Sequence, residues 1–194
     1  MPQAERERFL QNIERETGRI QEIVDRMMEL TALEARRGLE RTEPVVLAVL
    51  IDDVAGSARP AAARRGIRVR VDIRAEAVTE GDPFLLRRAV SNLLDNAIDF
   101  SPADSEVLLT LEATSKLARV TVRDRGPGIP DYAQEKVFQK FYSLARPHSR
   151  KKSTGLGLAF VKEIAALHGG RIELGNAARG GAVATLTLPL MPAR

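Results

Sequence analysis

Residues 81–100 constrain the fold of this chain more than any other stretch. Gly81-Asp82-Pro83 reads as a helix start, with Asp82 as cap and Pro83 at the first position. At 100° per residue, Leu86, Val90, Leu93 and Ala97 then share one stripe, with Asn92, Asn96 and Asp99 together on its flank. Such a stripe has to lie on a sheet, and the flanking sequence supplies one. Ile67-Arg68-Val69-Arg70-Val71 alternates as a strand does, and residues 107–111 and 118–122 read as a strand pair. A short helix near 132–138, a helix from Gly155 to about His168, and closing strands at 172–174 and 182–188 complete the pattern. The order βαββ–α–αββ predicts an α+β fold: a two-layer sandwich in which a mixed sheet is covered on one face by helices.

One long helix is expected before this unit. From residue 4 to about 37, Phe9, Ile13, Ile20, Val24, Met27 and Leu30 recur at three- and four-residue steps among Glu and Arg. Gly38 is its expected stop, and Thr42-Glu43-Pro44 reads as a linker. The apolar stripe needs a cover: a second helix, another protomer, or the chain's own globular part. Residues 45–65 read as a helix interrupted near Pro60. The domains expected are therefore 1–43 and 44–194.

Composition narrows the function. With no cysteine, disulfides, thiolate zinc sites and a cysteine nucleophile are excluded, and two histidines exclude a histidine-rich metal centre. The charged N-terminus does not resemble a signal peptide, and the apolar run at 45–51 is too short to cross a bilayer. A soluble, cytoplasmic domain is expected. A net charge of +4 invites a nucleic-acid reading. Most basic residues, however, alternate with acids along the first forty positions, and the one basic run, 146–152, lacks stacking aromatics. No nucleic-acid partner is expected.

Three segments carry chemistry. Asn92 and Asn96 are neutral amides one helical turn apart, suited to oxygen ligation of Mg²⁺ beside phosphates and waters. Taken alone, they read rather as groups that cap or bridge to nearby backbone, a preference that the two downstream segments reverse. Asp124 ends a strand against Gly126 and Gly128, where a carboxylate can accept from an exocyclic amine such as that of adenine. An Asp-x-Gly turn without function is the plain alternative. Gly155-Leu156-Gly157-Leu158 opens a helix, with Thr154 as expected N-cap, and presents bare N–H groups to phosphate. It is neither a P-loop nor a dinucleotide fingerprint. The loop 143–153, with Arg146, His148, Arg150, Lys151 and Lys152, falls where a cationic lid over a triphosphate would lie. The ordered set describes a site for ATP and Mg²⁺.

This set resembles the C-terminal half of a bacterial two-component sensor histidine kinase, whose ATP-binding (Bergerat) fold is shared with gyrase B and Hsp90. Asn92-Leu93-Leu94-Asp95-Asn96-Ala97 resembles the N box, Asp124-x-Gly126-x-Gly128 the first glycine box, and Gly155-Leu156-Gly157-Leu158 the second. Phe138-Gln139-Lys140-Phe141-Tyr142 resembles the F box, and Gly180-Gly181-Ala182 the last glycine turn. The wording Asp95-Asn96-Ala97-Ile98-Asp99-Phe100 and Phe141-Tyr142-Ser143-Leu144 is similar to that of CreC-type sensor kinases. The resemblance implies that 1–43 is the second helix of a dimerisation domain and 44–194 a catalytic ATP-binding domain. It implies ATP contacts at Asn92, Asn96, Asp124, Gly126, Gly128, Ile129, Lys140, Tyr142, Thr154, Gly155, Leu156, Gly157 and Leu158, with Mg²⁺ on Asn96 and Asn92. It further implies a cognate response regulator, a possible homodimer through the first helix, and a full-length parent tethered to the inner membrane.

Two departures stand out. Most such kinases carry Lys or Arg where this chain has Asp99. Neither His148 nor His168 has the acidic neighbour and following proline of the phosphoacceptor motif, so transfer is expected to a histidine on another polypeptide or on missing upstream sequence. No catalytic residue is assigned. A non-catalytic ATP-dependent interaction module is the alternative. An ATP-hydrolysing relative is disfavoured, because the family's ATPases carry a glutamate base where Asn92 stands.

Overall fold

The computed structural model describes residues 3–146, 153–178 and 180–191. The chain divides into two units, Met1–Ala35 and Arg36–Arg194. The first is one helix, α1 (Gln3–Glu34), ending a turn earlier than the periodicity suggests. Along it Phe9, Ile13, Ile20, Val24 and Met27 are solvent-exposed, and Arg26 pairs with Glu22 one turn back at 2.8 Å. That exposed pair adds only about 0.3–0.5 kcal/mol.

The second unit contains β1 (Glu43–Val46), α2 (Leu47–Ala63), β2 (Arg68–Ile73), β3 (Val78–Gly81), α3 (Pro83–Phe100), β4 (Glu106–Ala113) and β5 (Leu117–Arg123). After these come α4 (Asp131–Gln134), α5 (Gly157–Leu167), β6 (Arg171–Asn176) and β7 (Ala182–Pro189). Five strands form a mixed sheet in the order β2-β4-β5-β7-β6, with β2 parallel to β4 and the other neighbours antiparallel. β1 and β3 form a separate antiparallel pair. The α+β sandwich expected from the element order is the one observed. α2, α3 and α5 lie side by side, α2 against β2 and β4, α3 against β4 and β5, α5 against β6 and β7.

The core sits between these layers. Leu86, Val90, Leu93 and Ala97 are buried as the stripe requires, facing Val107, Leu109, Val120, Val122 and Leu186. Each large aliphatic among them contributes about 1.5–3 kcal/mol through burial. Asn92, Asn96 and Asp99 are half-buried on the flank. Asp82 caps α3 as expected, its Oδ1 accepting from the Phe84 and Leu85 N–H groups at 2.9 and 3.1 Å. Loss of that cap would cost about 1 kcal/mol.

Several boundaries differ from the sequence reading. Glu43 and Pro44 belong to a strand rather than a linker, and the expected helix over 45–65 divides into β1 and α2. α2 runs through Pro60, which forgoes the hydrogen bond its missing N–H would make to the carbonyl four residues back, and the helix ends three residues later. β3 was not expected, because its four residues are too few to show alternation. The helix expected over 132–138 shortens to α4, followed by turns. Among the described residues no helix is long and apolar enough to cross a membrane.

Candidate functional site

A pocket opens beside the flank of α3, floored by β5 and β7 and walled by the loops after β5 and before α5. It brings together Asn96, Asp124, Gly128, Ile129, Tyr142, Gly155, Gly157 and Leu158 from the expected set. Asn92 joins them through Gly157, whose Cα faces the Asn92 and Asn96 amides, the space for a Cβ being 3.7 Å from Asn92 Oδ1 and 4.0 Å from Asn96 Nδ2. A cation–π contact, the Arg88 guanidinium 3.9 Å from the Phe160 ring centroid, ties α5 to α3.

Asp124 is only 6% exposed. Its Oδ1 accepts from the Gly126 N–H at 2.8 Å and the Ala182 N–H at 2.9 Å, while its own N–H donates to the Ala182 carbonyl at 3.0 Å. Burial pushes this carboxyl above its ordinary pKa, and the two backbone donors pull part of the way back. Because both donors use one oxygen, Oδ2 remains to accept from a ligand in the pocket.

Other expected residues stand differently. Leu156 is fully buried in the core, so its side chain does not line the pocket. Lys140 is exposed, and the pocket wall takes Tyr142 from the same segment instead. The N-cap of α5 is Leu156, not Thr154, with no side-chain cap bond; Ser153 Oγ instead accepts from the Gly155 N–H at 3.1 Å. The uncapped first turn leaves its backbone N–H groups available to an anion. Of the cationic loop, His148, Arg150, Lys151 and Lys152 lie outside the described residues.

Sequence reasoning missed Asn176, at the end of β6. Its Oδ1 accepts from the Ile129 N–H at 2.6 Å and its Nδ2 donates to the Ile129 carbonyl at 2.8 Å. This two-way bond fixes the loop after Asp124, and no motif in the sequence announces it. Ile129, Ala133 and Val137 form a buried apolar cluster, onto which Tyr142, Leu144, Leu158 and Leu174 pack. Phe141 takes a left-handed backbone conformation, with φ of 64°, its N–H donating to the Gly155 carbonyl at 3.0 Å.

His168 has no free ring nitrogen. Nδ1 lies 2.7 Å from the Ile164 carbonyl and Nε2 accepts from the Asp82 N–H at 3.0 Å, so the ring is neutral with its proton on Nδ1. Burial lowers its pKa. It is a structural link between α5 and α3 and is not placed to accept a phosphoryl group.

The family described as histidine kinase-, DNA gyrase B- and HSP90-like ATPase matches residues 81–192, the stretch that holds every element of this pocket. The chain belongs to that family. Within it, the sensor protein CreC of Escherichia coli strain K12 is 39% identical over 181 residues, covering 93% of this chain and 38% of CreC. The chain thus spans well under half the length of that relative. The solved mycobacterial sensor histidine kinase MprB superposes with a TM-score of 0.68 at 30% identity, covering 79% of this chain and all of the MprB chain. Full-length ShkA in complex with AMPPNP superposes with a TM-score of 0.81 at 26% identity over the whole of this chain and 40% of its own. This family member carries the catalytic ATP-binding domain of sensor histidine kinases.

Proposed function

We propose that the pocket binds Mg·ATP and presents its γ-phosphoryl to a histidine outside this sequence, as one step of two-component signalling in the cytoplasm. The observation that carries this reading is the unshared oxygen of Asp124 in an otherwise apolar slot, with an uncapped helix start and two amides at the other end. Asp124 accepts from the adenine amine, and Ile129, Tyr142, Leu144 and Leu158 enclose the ring. Gly155 and Gly157 let the first turn of α5 approach the phosphates. Asn96, with Asn92 beside it, supplies the neutral oxygen that suits Mg²⁺, which keeps its remaining sites for phosphate and water. Mg²⁺ held there would neutralise part of the charge on the phosphates. The chain's own work is positioning: an imidazole nitrogen attacks γ-phosphorus as the bond to ADP breaks, with little covalent chemistry asked of the protein.

Calorimetry tests the first half. ATP is expected to bind with micromolar to millimolar affinity, about −4 to −8 kcal/mol, and more tightly with Mg²⁺. Asn96→Ala should remove most of the magnesium dependence and Asn92→Ala part of it. Absence of heat with folded protein, with or without the metal, would rule the reading out.

Labelled ATP tests the second half. We propose that residues 1–43 are the second helix of a dimerisation domain with its linker, and that the helix docks the acceptor. The chain alone should then show no acid-labile phosphorylation, whereas a separate polypeptide bearing an acceptor helix should become labelled. Ile20 and Met27 are 62% and 47% exposed, so replacing both with Glu should abolish transfer and spare ATP affinity. Self-labelling lost in His148→Ala or His168→Ala would overturn the assignment. A response regulator is the expected next recipient.

A further inference from the structure

Asp99 poses a problem of charge. It follows Asn96 by three residues on the same flank of α3, where a bare carboxylate would repel the phosphates of a bound nucleotide. The structure surrounds it with two cations. Arg65, just beyond α2, donates from Nη1 to Asp99 Oδ1 at 3.2 Å and to the Ile98 carbonyl at 2.7 Å, and from Nη2 to the Asp99 carbonyl at 3.3 Å. It therefore caps the C-terminal end of α3 while fixing the carboxylate. The other oxygen, Oδ2, pairs with Arg146 Nη1. The Arg146 side chain is 13% exposed and that of Asp99 26%, so this pair is far better shielded from solvent than Arg15–Glu16 on α1, at 74% and 57%. Arg146 lies two residues beyond Leu144 and four beyond Tyr142, both in the pocket wall.

We propose that Asp99 is a positioning residue of the nucleotide pocket: held by Arg65, it seats Arg146 and thereby sets the wall formed by residues 142–144. The proposal rests on the ATP reading above. It makes Asp99 an anchor within a group of net positive charge rather than a missing phosphate contact.

Calorimetry with ATP and with adenosine, on the full chain, separates the possibilities. Asp99→Asn and Arg146→Gln should each weaken both ligands about three- to tenfold, and the double variant should be no worse than the poorer single. Asp99→Lys adds a positive charge beside the phosphates, yet should also weaken ATP, because it places a like charge against both Arg65 and Arg146. Asp99→Glu, the mildest change, should stay within about twofold and keeps the comparison available if a harsher variant melts early. Additive single effects, unchanged adenosine binding, or tighter ATP binding by Asp99→Lys would each overturn the anchor role and leave the ATP reading intact. No binding of ATP or adenosine by the unmodified chain would overturn both.

Discussion

Asp124→Asn is expected to weaken ATP binding by about 1.5–3 kcal/mol, roughly tenfold to more than a hundredfold, the scale of a hydrogen bond to a charged group. The amide can keep one oxygen on the Gly126 and Ala182 N–H groups, but its other atom then turns a donor toward the adenine amine, itself a donor. GTP should bind poorly to the unmodified chain, since its ring offers a carbonyl at that position to the carboxylate. The acid-dependence follows from burial, which raises this carboxyl above its ordinary value. ATP affinity should therefore fall away on acidification at a higher pH than an exposed aspartate would give. Folding responds with the opposite sign. A buried carboxyl with a raised pKa favours the folded state most when protonated, and that contribution is lost as pH rises through the folded value. At neutral pH the Asn variant should thus melt no lower than the parent while binding ATP far less well. Equal binding of ATP and GTP by the unmodified chain would show the adenine assignment to be wrong.

Gly181→Ala should destabilise the second unit by roughly 3 kcal/mol or more, about 6–12 °C in melting temperature, and abolish nucleotide binding. Two costs combine there. The backbone holds φ at +87°, and a Cβ would overlap the Asp124 carbonyl oxygen, a main-chain atom that cannot swing away. Its neighbours separate these costs. Gly180 has φ of +84° with open space around its missing Cβ, so Gly180→Ala should pay strain alone, about 1–2 kcal/mol. Gly175 has neither strain nor any atom within 4 Å and should tolerate alanine. Thermal melting of the three variants gives the ranking, and a Gly181 variant as stable as the Gly175 one would refute the overlap argument.

The parts legible in the sequence were those written in local periodicity or in a residue's own chemistry. The stripe of α3, its Asp82 cap and the alternation of β4 and β5 all follow from spacing along a few turns or pleats. Asp124 and the two amides could be singled out because few residue types suit their chemistry. What stayed hidden depends on partners distant in the chain. Asn176 meets Ile129 across 47 positions, and Asp82 meets His168 across 86. Asp99 shows the same limit from the other side: its charge alone suggests a lost contact, and only the fold brings Arg65 and Arg146 to it. β1 and β3 were missed because each is four residues long and is specified by its partner.

The place of β7 in the sheet sets an order of events during synthesis. It lies between β5 and β6, and its first residue, Ala182, both donates to the Asp124 side chain and accepts from the Asp124 N–H. A growing polypeptide displays Asn92, Asn96 and Asp124, and later Gly155 and Gly157, well before the ribosome reaches this strand. Until β7 is inserted, β5 has an open edge and the carboxylate lacks one of its two donors. If ATP binds as proposed, it therefore meets its full set of contacts only once β7 has been inserted beside β5. A nucleotide analogue should consequently stay off ribosome-bound intermediates arrested after α5, and the cell's abundant ATP would act as a late clamp on completed molecules.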